Sequence, residues 1–177
     1  MKTLCIKEIL QILAILTLIF SCNSKSKRKE IFRPLTNGKD SILVPEFTIK
    51  IELNNSAEKK LLEEKETVKI MLELYGTPEI HIPEKYKYEF YNELGQIQLG
   101  QKSIELNSER VYTFKNLKIN SDLISLLQNK TYNARIDIVS GRKSNKNNLL
   151  DCEHIDKNID SLKIKITEIS GKLIEET

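Results

Sequence analysis

The sequence has 177 residues, with 28 lysines and arginines and 25 aspartates and glutamates. Lys2, Lys7 and Glu8 lie near the N-terminus, and five basic residues and one acidic residue lie between Lys25 and Arg33. From Pro34 onward there are therefore 21 basic and 23 acidic residues. A nucleic-acid-binding protein concentrates basic residues on its folded face. The charge distribution therefore predicts no nucleic-acid partner.

The first twenty residues have the plan of an export signal. Lys2 and Lys7 precede an apolar run of twelve residues, Ile9 to Phe20, which only Gln11 and Thr17 interrupt. A positive region followed by such a run is typical of a signal peptide. Twelve helical residues reach about 18 Å, which is short of the roughly 30 Å of hydrocarbon in a bilayer.

The apolar run ends at Ile19-Phe20-Ser21-Cys22, which resembles the lipobox of bacterial lipoproteins. The resemblance implies that the Cys22 thiol receives a diacylglyceryl group and that a peptidase cuts between Ser21 and Cys22. Cys22 would then be the acylated first residue of the mature protein, attached to a membrane of the cell envelope, with these lipid groups as its only cofactor. A plain secretory signal and an uncleaved N-terminal anchor are the alternatives.

Residues 22–42 form a polar, basic segment without periodicity, and Pro34, Asn37 and Gly38 interrupt regular structure in it. We expect a flexible basic tether here, which either attracts anionic headgroups or serves as a solubilising linker. Surface lipoproteins of one broad group of bacteria carry an acidic run after the cysteine, so a basic tether favours the outer membrane facing the periplasm. The predicted order is a signal peptide (1–21), the tether (22–42) and one domain (43–177).

The first part of the domain predicts two strands joined by a helix. Phe47 to Leu53 alternates apolar and polar residues, which is typical of a half-buried strand. Asn55, with Glu58 three residues later, has the spacing of a capping box for a short helix. Val68 to Leu74 alternates again.

The rest of the chain predicts further short strands. We expect strands near residues 86–91, over 97–106 and over 110–119, and a short helix capped by Asn120 or Ser121. Tyr132 to Ile138 alternates, as does Leu162 to Ile166.

Seven or eight short strands and two helical turns, without regular βα alternation, predict a mainly β fold. The expected architecture is an antiparallel two-sheet β-sandwich, immunoglobulin-like or transthyretin-like, with one or two short crossover helices. A small barrel is the alternative.

We do not expect an enzyme. The sequence contains two histidines, His81 and His154, and it has no Gly-x-Ser-x-Gly elbow and no phosphate-binding glycine loop.

The segment Asp-Cys-Glu-His-Ile-Asp (151–156) holds the densest set of metal-ligating side chains. In an extended strand Cys152, His154 and Asp156 would project to one face, and zinc accepts a thiolate, an imidazole and a carboxylate. The alternative is that Cys152 is a buried small thiol.

Residues 140–148 (Ser-Gly-Arg-Lys-Ser-Asn-Lys-Asn-Asn) predict an exposed basic loop, which we call the cationic loop. Loops on a rigid β scaffold often carry binding residues. The candidate partner-binding residues are Arg142, Lys143, Asn145, Lys146 and Asn147. A solvated hairpin tip is the alternative.

Together these features predict a lipid-anchored cell-envelope protein whose non-enzymatic β-sandwich binds a protein or envelope partner. The alternatives are a periplasmic ligand or metal carrier that uses residues 151–156, and an immunity or inhibitor lipoprotein.

Overall fold

The computed structural model of the protein describes residues 33–34, 40–87, 90–163 and 166–176. The predicted signal peptide, Cys22 and most of the predicted tether lie outside the described residues. Within these ranges, no helix has both the length and the apolar character that a membrane span requires.

The described part of the chain is mainly β, as predicted. Its strands are β1 (Arg33–Pro34), β2 (Ser41–Leu43), β3 (Phe47–Leu53), β4 (Val68–Gly76), β5 (Ile97–Leu106), β6 (Val111–Phe114), β7 (Lys118–Asn120), β8 (Asn133–Ser140), β9 (Leu150–Cys152), β10 (Ile155–Asn158) and β11 (Thr167–Leu173). Its helices are α1 (Asn55–Glu63), α2 (Glu84–Lys87), α3 (Ser121–Ser125) and α4 (Ile159–Leu162), with 3₁₀ turns at Gln128–Lys130 and Ile174–Glu176.

Five strands form an antiparallel sheet, sheet 1, in the order β1-β5-β4-β8-β10. The central strand β4 buries Val68, Ile70, Leu72 and Leu74 on one face, which confirms the predicted alternation. On β8, the alternation from Tyr132 to Ile138 is confirmed in the same way. These inward rows form one side of the hydrophobic core.

Four strands form sheet 2, in the order β6-β3-β11-β9. β11 runs parallel to β3, with Thr167 opposite Ile49, whereas the other pairs of this sheet are antiparallel. The prediction of a wholly antiparallel fold is therefore wrong for sheet 2. The alternation of apolar residues shows which face of a strand is buried, but it does not show the direction of the strand beside it.

Buried side chains of both larger sheets belong to one hydrophobic core. Ile49 and Ile169 contribute to it from sheet 2, and Ile70 and Ile136 contribute from sheet 1. On sheet 2 the rings of Phe47 and Phe114 stack with centroids 4.8 Å apart. β2 and β7 pair separately as a two-stranded ribbon.

Two short strands occupy part of the segment 22–42 that we expect to be a flexible tether. β1 pairs with β5 and β2 pairs with β7. The polar, proline-containing sequence gives no periodic signal for these strands, because their pairing depends on residues far along the chain. Arg33, which lies inside the expected tether, is therefore already paired with the domain.

Asparagine side chains cap α1 and α3, as predicted, but the cap of α1 lies one residue earlier than expected. The Asn54 side chain, not that of Asn55, caps α1 and accepts a hydrogen bond of 2.9 Å from the Ala57 backbone N–H. Within α1, Leu61 is buried, as predicted for the face of the helix that covers the core. Of the two predicted caps of α3, Asn120 and Ser121, Asn120 caps the helix, since its side chain accepts from Asp122 N–H at 2.9 Å.

Two predicted strands have different structures. The segment near Tyr86 begins as helix α2, and Tyr88 lies outside the described residues. In the segment Leu162 to Ile166, Leu162 ends helix α4 and Ile166 is 55% exposed, while the next strand β11 buries Thr167 and Ile169. A helical turn therefore occupies the start of the predicted strand. The buried positions of β11 are the odd-numbered residues 167 and 169, whereas the prediction placed the even-numbered residues inward.

Candidate functional site

The cationic loop connects β8 of sheet 1 to β9 of sheet 2. Among the predicted partner-binding residues, Arg142, Lys143, Lys146 and Asn147 are exposed and Asn145 is half-buried. The structure therefore presents four of the five predicted side chains to solvent at one end of sheet 1.

A buried carboxylate, Glu66, lies beneath this loop. Glu66 lies between α1 and β4 and is only 5% exposed. Its Oε2 accepts hydrogen bonds from the backbone N–H groups of Lys143 (2.9 Å), Ser144 (3.0 Å) and Asn145 (3.4 Å). The Ser144 hydroxyl also donates to Oε2 at 3.1 Å, and the Thr67 N–H donates to Oε1 at 2.9 Å. Three consecutive loop amides thus converge on one side chain.

This arrangement decides the charge of Glu66. Burial alone would raise the pKa of this carboxyl, but the backbone N–H groups of Thr67 and the three loop residues lower it to about 2. Hydrogen bonds to a charged acceptor stabilise its ionised form. Glu66 is therefore ionised at neutral pH, and the loop amides satisfy its negative charge.

The entrance to the loop is closely packed around Gly141. The Gly141 N–H donates to the Thr67 carbonyl at 2.7 Å, and a Cβ at Gly141 would lie 1.9 Å from the Thr67 hydroxyl oxygen. That hydroxyl donates to Glu105 at 2.6 Å. Only glycine fits here without displacing the Thr67–Glu105 hydrogen bond, and the following residue, Arg142, adopts a left-handed backbone conformation with φ of 58°.

Asn148 fixes the exit from the loop. Its side-chain oxygen accepts from the Ser140 N–H at 2.8 Å and from the Leu150 N–H at 3.2 Å. Its side-chain nitrogen donates to the Leu150 carbonyl at 2.7 Å. Asn148 therefore ties the last residue of β8 to the first residue of β9.

The exposed surface of the loop is positively charged. Lys143 Nζ lies 3.1 Å from Glu105, and Lys69 faces Glu105 across β4 and β5. Arg142 and Lys146 are exposed beside them. Glu66, ionised beneath the loop, and Glu105 each add one negative charge here, and the four basic side chains Arg142, Lys143, Lys146 and Lys69 outnumber them.

The predicted metal ligands Cys152, His154 and Asp156 do not come together. Cys152 ends β9 of sheet 2, whereas Asp156 lies in β10 of sheet 1. The chain crosses between the sheets here, so the extended geometry that would align the three side chains does not occur. Across the described ranges, no three His, Cys, Asp or Glu side chains are grouped so as to hold a metal ion.

Each of the three has other surroundings. His154 Nδ1 lies 2.7 Å from Asp137 on the outer face of sheet 1. Cys152 is a free, half-buried thiol beside Gly171, and burial, together with the charge of Asp151, raises its pKa to about 11. At neutral pH this thiol is protonated and is a poor metal ligand or nucleophile.

Asp156 belongs to a group of side chains that the sequence did not predict, which we call the outer polar cluster: Glu73, Tyr75, Arg135 and Asp156. The Tyr75 hydroxyl, on a ring that is 4% exposed, donates to Asp156. The Arg135 guanidinium lies 4.5 Å from the Tyr75 ring centroid, 2.9 Å from Glu73 and 3.5 Å from Asp156. Arg135 is thus shared by both carboxylates, and the cluster ties β4, β8 and β10 together.

Sequence reasoning also missed Glu66. Nothing nearby distinguishes it from Glu63 and Glu64, which are acidic residues of the same segment. Its role depends on a loop 77 to 79 residues later in the chain.

Comparison of the chain with protein-family models, curated proteins and solved structures finds no match.

Proposed function

We propose that this chain is a lipid-anchored protein of the cell envelope whose non-enzymatic domain binds an envelope component through the cationic loop. The support for the anchor is the lipobox-like sequence ending at Cys22, directly after an apolar run too short to span a bilayer. The basic character of the segment after Cys22 favours the outer membrane, with the domain facing the periplasm.

The proposed architecture is a β-sandwich of the immunoglobulin-like or transthyretin-like kind. The support is that the inward rows of sheet 1 and sheet 2 contribute to one core. In such an architecture, loops that join the two sheets lie at the ends of the sandwich and are free to meet a partner. The cationic loop joins the sheets in this way, since it leads from β8 to β9.

One observation carries the choice of surface: the Glu66 carboxylate holds three consecutive amides of the loop. A loop that is ordered before binding loses less conformational entropy when it binds. An ordinary solvated hairpin tip needs no buried charge beneath it, and an isolated buried charge is costly. We therefore assign binding to the exposed side chains that this loop presents, chiefly Arg142, Lys146 and Asn147.

Photo-crosslinking in native envelopes tests the proposal. A photoreactive residue at position 147 is compared with one at Gln128, which is exposed at the opposite end of sheet 1. We expect a discrete product, protein or lipid, from position 147 and none of the same kind from position 128. The product should be lost when Glu66→Gln loosens the loop. Unspecific products from both positions would contradict a binding role for this loop.

A further inference from the structure

We infer that the envelope component in contact with the cationic loop is the anionic lipid surface to which Cys22 would anchor the chain. This inference rests on the proposed lipid anchor. Three observations lead to it: the direction in which the chain enters sheet 1, the length of chain between Cys22 and that point, and the distribution of charge between the two ends of the sheet.

The first observation is the direction of β1. Arg33 lies opposite Gln101 and Pro34 lies opposite Gly100, antiparallel to β5. The N-terminal end of β1 is therefore directed toward the end of β5 at Leu106. Leu106 pairs with Val68, and Val68 pairs with Ser140, where the cationic loop begins. The chain thus enters the sheet from the end that carries the loop.

The second observation is a limit on distance. Ten residues separate Cys22 from Arg33, and at full extension the chain from Cys22 to Arg33 reaches at most about 40 Å. The five residue steps from Gln101 to Leu106 cover about 17 Å, so the loop end lies well within this reach. Distance alone would permit either end of the sheet to face the bilayer. The direction of β1 and the charge distribution select the loop end.

The third observation is charge. The loop end presents Arg142, Lys143 and Lys146 together with Lys69, and the acidic groups in contact with them are the exposed Glu105 and the buried Glu66, which leaves an excess of basic charge. The opposite end, near Gln128, carries Glu79 and Asp160 together with Lys130 and Lys163, which lies 2.8 Å from Asp160, so its acidic and basic groups balance. Each basic side chain held near an anionic bilayer raises the constant for membrane binding about fivefold. The loop end therefore favours an anionic headgroup layer, and the opposite end does not.

The test uses the full chain, produced in a bacterium that processes lipoproteins, purified and reconstituted into vesicles of phosphatidylcholine with or without phosphatidylglycerol. In a Cys152→Ser background, a fluorophore is attached at Asn147→Cys or, as matched control, at Gln128→Cys. A lipid with a spin label on its headgroup acts as the quencher. Position 147 lies in the loop and position 128 lies about 25 Å away, at the other end of the nine-residue strand β4.

We expect several-fold stronger quenching at position 147 than at position 128 on vesicles that contain phosphatidylglycerol. The difference should shrink in high salt, which screens charges beyond a few ångströms, and in the double variant Arg142→Glu, Lys146→Glu. Circular dichroism of that variant should match the parent, because neither side chain supports the Glu66 contacts, which are made by backbone groups of other residues and by Ser144.

The outcomes separate the two proposals. Equal quenching at both positions, or stronger quenching at position 128, in protein that floats with the vesicles would overturn the inference but not the anchor. Protein that does not float with the vesicles would overturn the anchor and the inference together. A single protein crosslinked to position 147 in native envelopes would support a binding role for the loop and overturn a lipid surface as its partner.

Discussion

Glu66 and Ser144 lie 78 residues apart, yet the Glu66 carboxylate accepts hydrogen bonds from both the backbone N–H and the hydroxyl of Ser144. This relationship joins the segment before the central strand of sheet 1 to the loop that leaves its neighbour β8. It converts a polar surface loop into an ordered one. The stability of the domain and the order of its proposed binding surface therefore depend on the same ionised side chain.

Replacing this carboxylate should loosen the loop. In Glu66→Gln one side-chain oxygen becomes an NH₂ group that cannot accept from the amides of Lys143 and Ser144. Because hydrogen bonds to a charged group are worth about 1.5 to 3 kcal/mol, we expect the free energy of unfolding to fall by about 2 to 3 kcal/mol. Urea denaturation measures this loss, and hydrogen exchange should accelerate at the amides of residues 143 to 145. Glu63→Gln, on the exposed face of α1, is the control and should change neither quantity noticeably.

The same carboxylate makes stability depend on pH. The pKa of Glu66 is lowered to about 2 in the folded protein, whereas an unfolded glutamate titrates near about 4.3. The unfolded chain therefore binds the proton first as the pH falls. Stability from Glu66 is complete above about pH 5 and is lost progressively toward pH 2, by about 3 kcal/mol in all.

Denaturation curves between pH 7 and pH 2.5 check this for the parent chain and Glu66→Gln. The difference in stability between the two should narrow steadily as the pH is lowered through this range. A difference that stays constant down to pH 2.5 would mean that Glu66 does not titrate as described.

The outer polar cluster should stabilise the pairing of β4 with β8 and β10. Tyr75→Phe removes the hydroxyl that donates to Asp156 while keeping the ring under Arg135. We expect a loss of about 1 to 1.5 kcal/mol in the free energy of unfolding, the usual value of one hydrogen bond. A double-mutant cycle with Asp156→Asn measures the coupling between the two groups. Strictly additive effects of the two substitutions would show that the hydrogen bond adds nothing to stability.

Cys152 should react slowly in the folded protein. Burial raises the pKa of its thiol to about 11, and only the thiolate is alkylated. At pH 7.5 we expect iodoacetamide to modify Cys152 at least about tenfold more slowly in the folded than in the urea-unfolded chain. Mass spectrometry of the peptide that contains residue 152 gives both rates. Equal rates in the two states would show that the thiol is neither buried nor raised in pKa.

The inward faces of β3, β4 and β8 could be predicted from the sequence because Ile49, Ile70 and Ile136 each lie in an alternating run, and a period of two residues is a local signal. The direction of β11 could not, because its parallel pairing with β3 joins strands more than a hundred residues apart. Local spacing narrows the cap of α3 to Asn120 or Ser121, whereas the cap of α1 at Asn54 is easily assigned to Asn55, because two asparagines are adjacent there.

The candidate site was predictable only in part. The composition of residues 140–148 indicates a basic loop, but the carboxylate that orders it, Glu66, lies in another segment and resembles its acidic neighbours. The structure does not bring the proposed metal ligands together, for a related reason. Spacing along an extended strand aligns Cys152 with Asp156 only if the strand continues, and the chain instead changes sheets between them.

Attachment of the domain to a bilayer through Cys22 underlies both proposals, and mass spectrometry of the N-terminal peptide of the protein extracted from membranes decides it. We expect a peptide that begins at Cys22 and carries a diacylglyceryl group on the thiol. A mature chain that begins elsewhere, or that carries an unmodified cysteine at residue 22, would contradict this attachment.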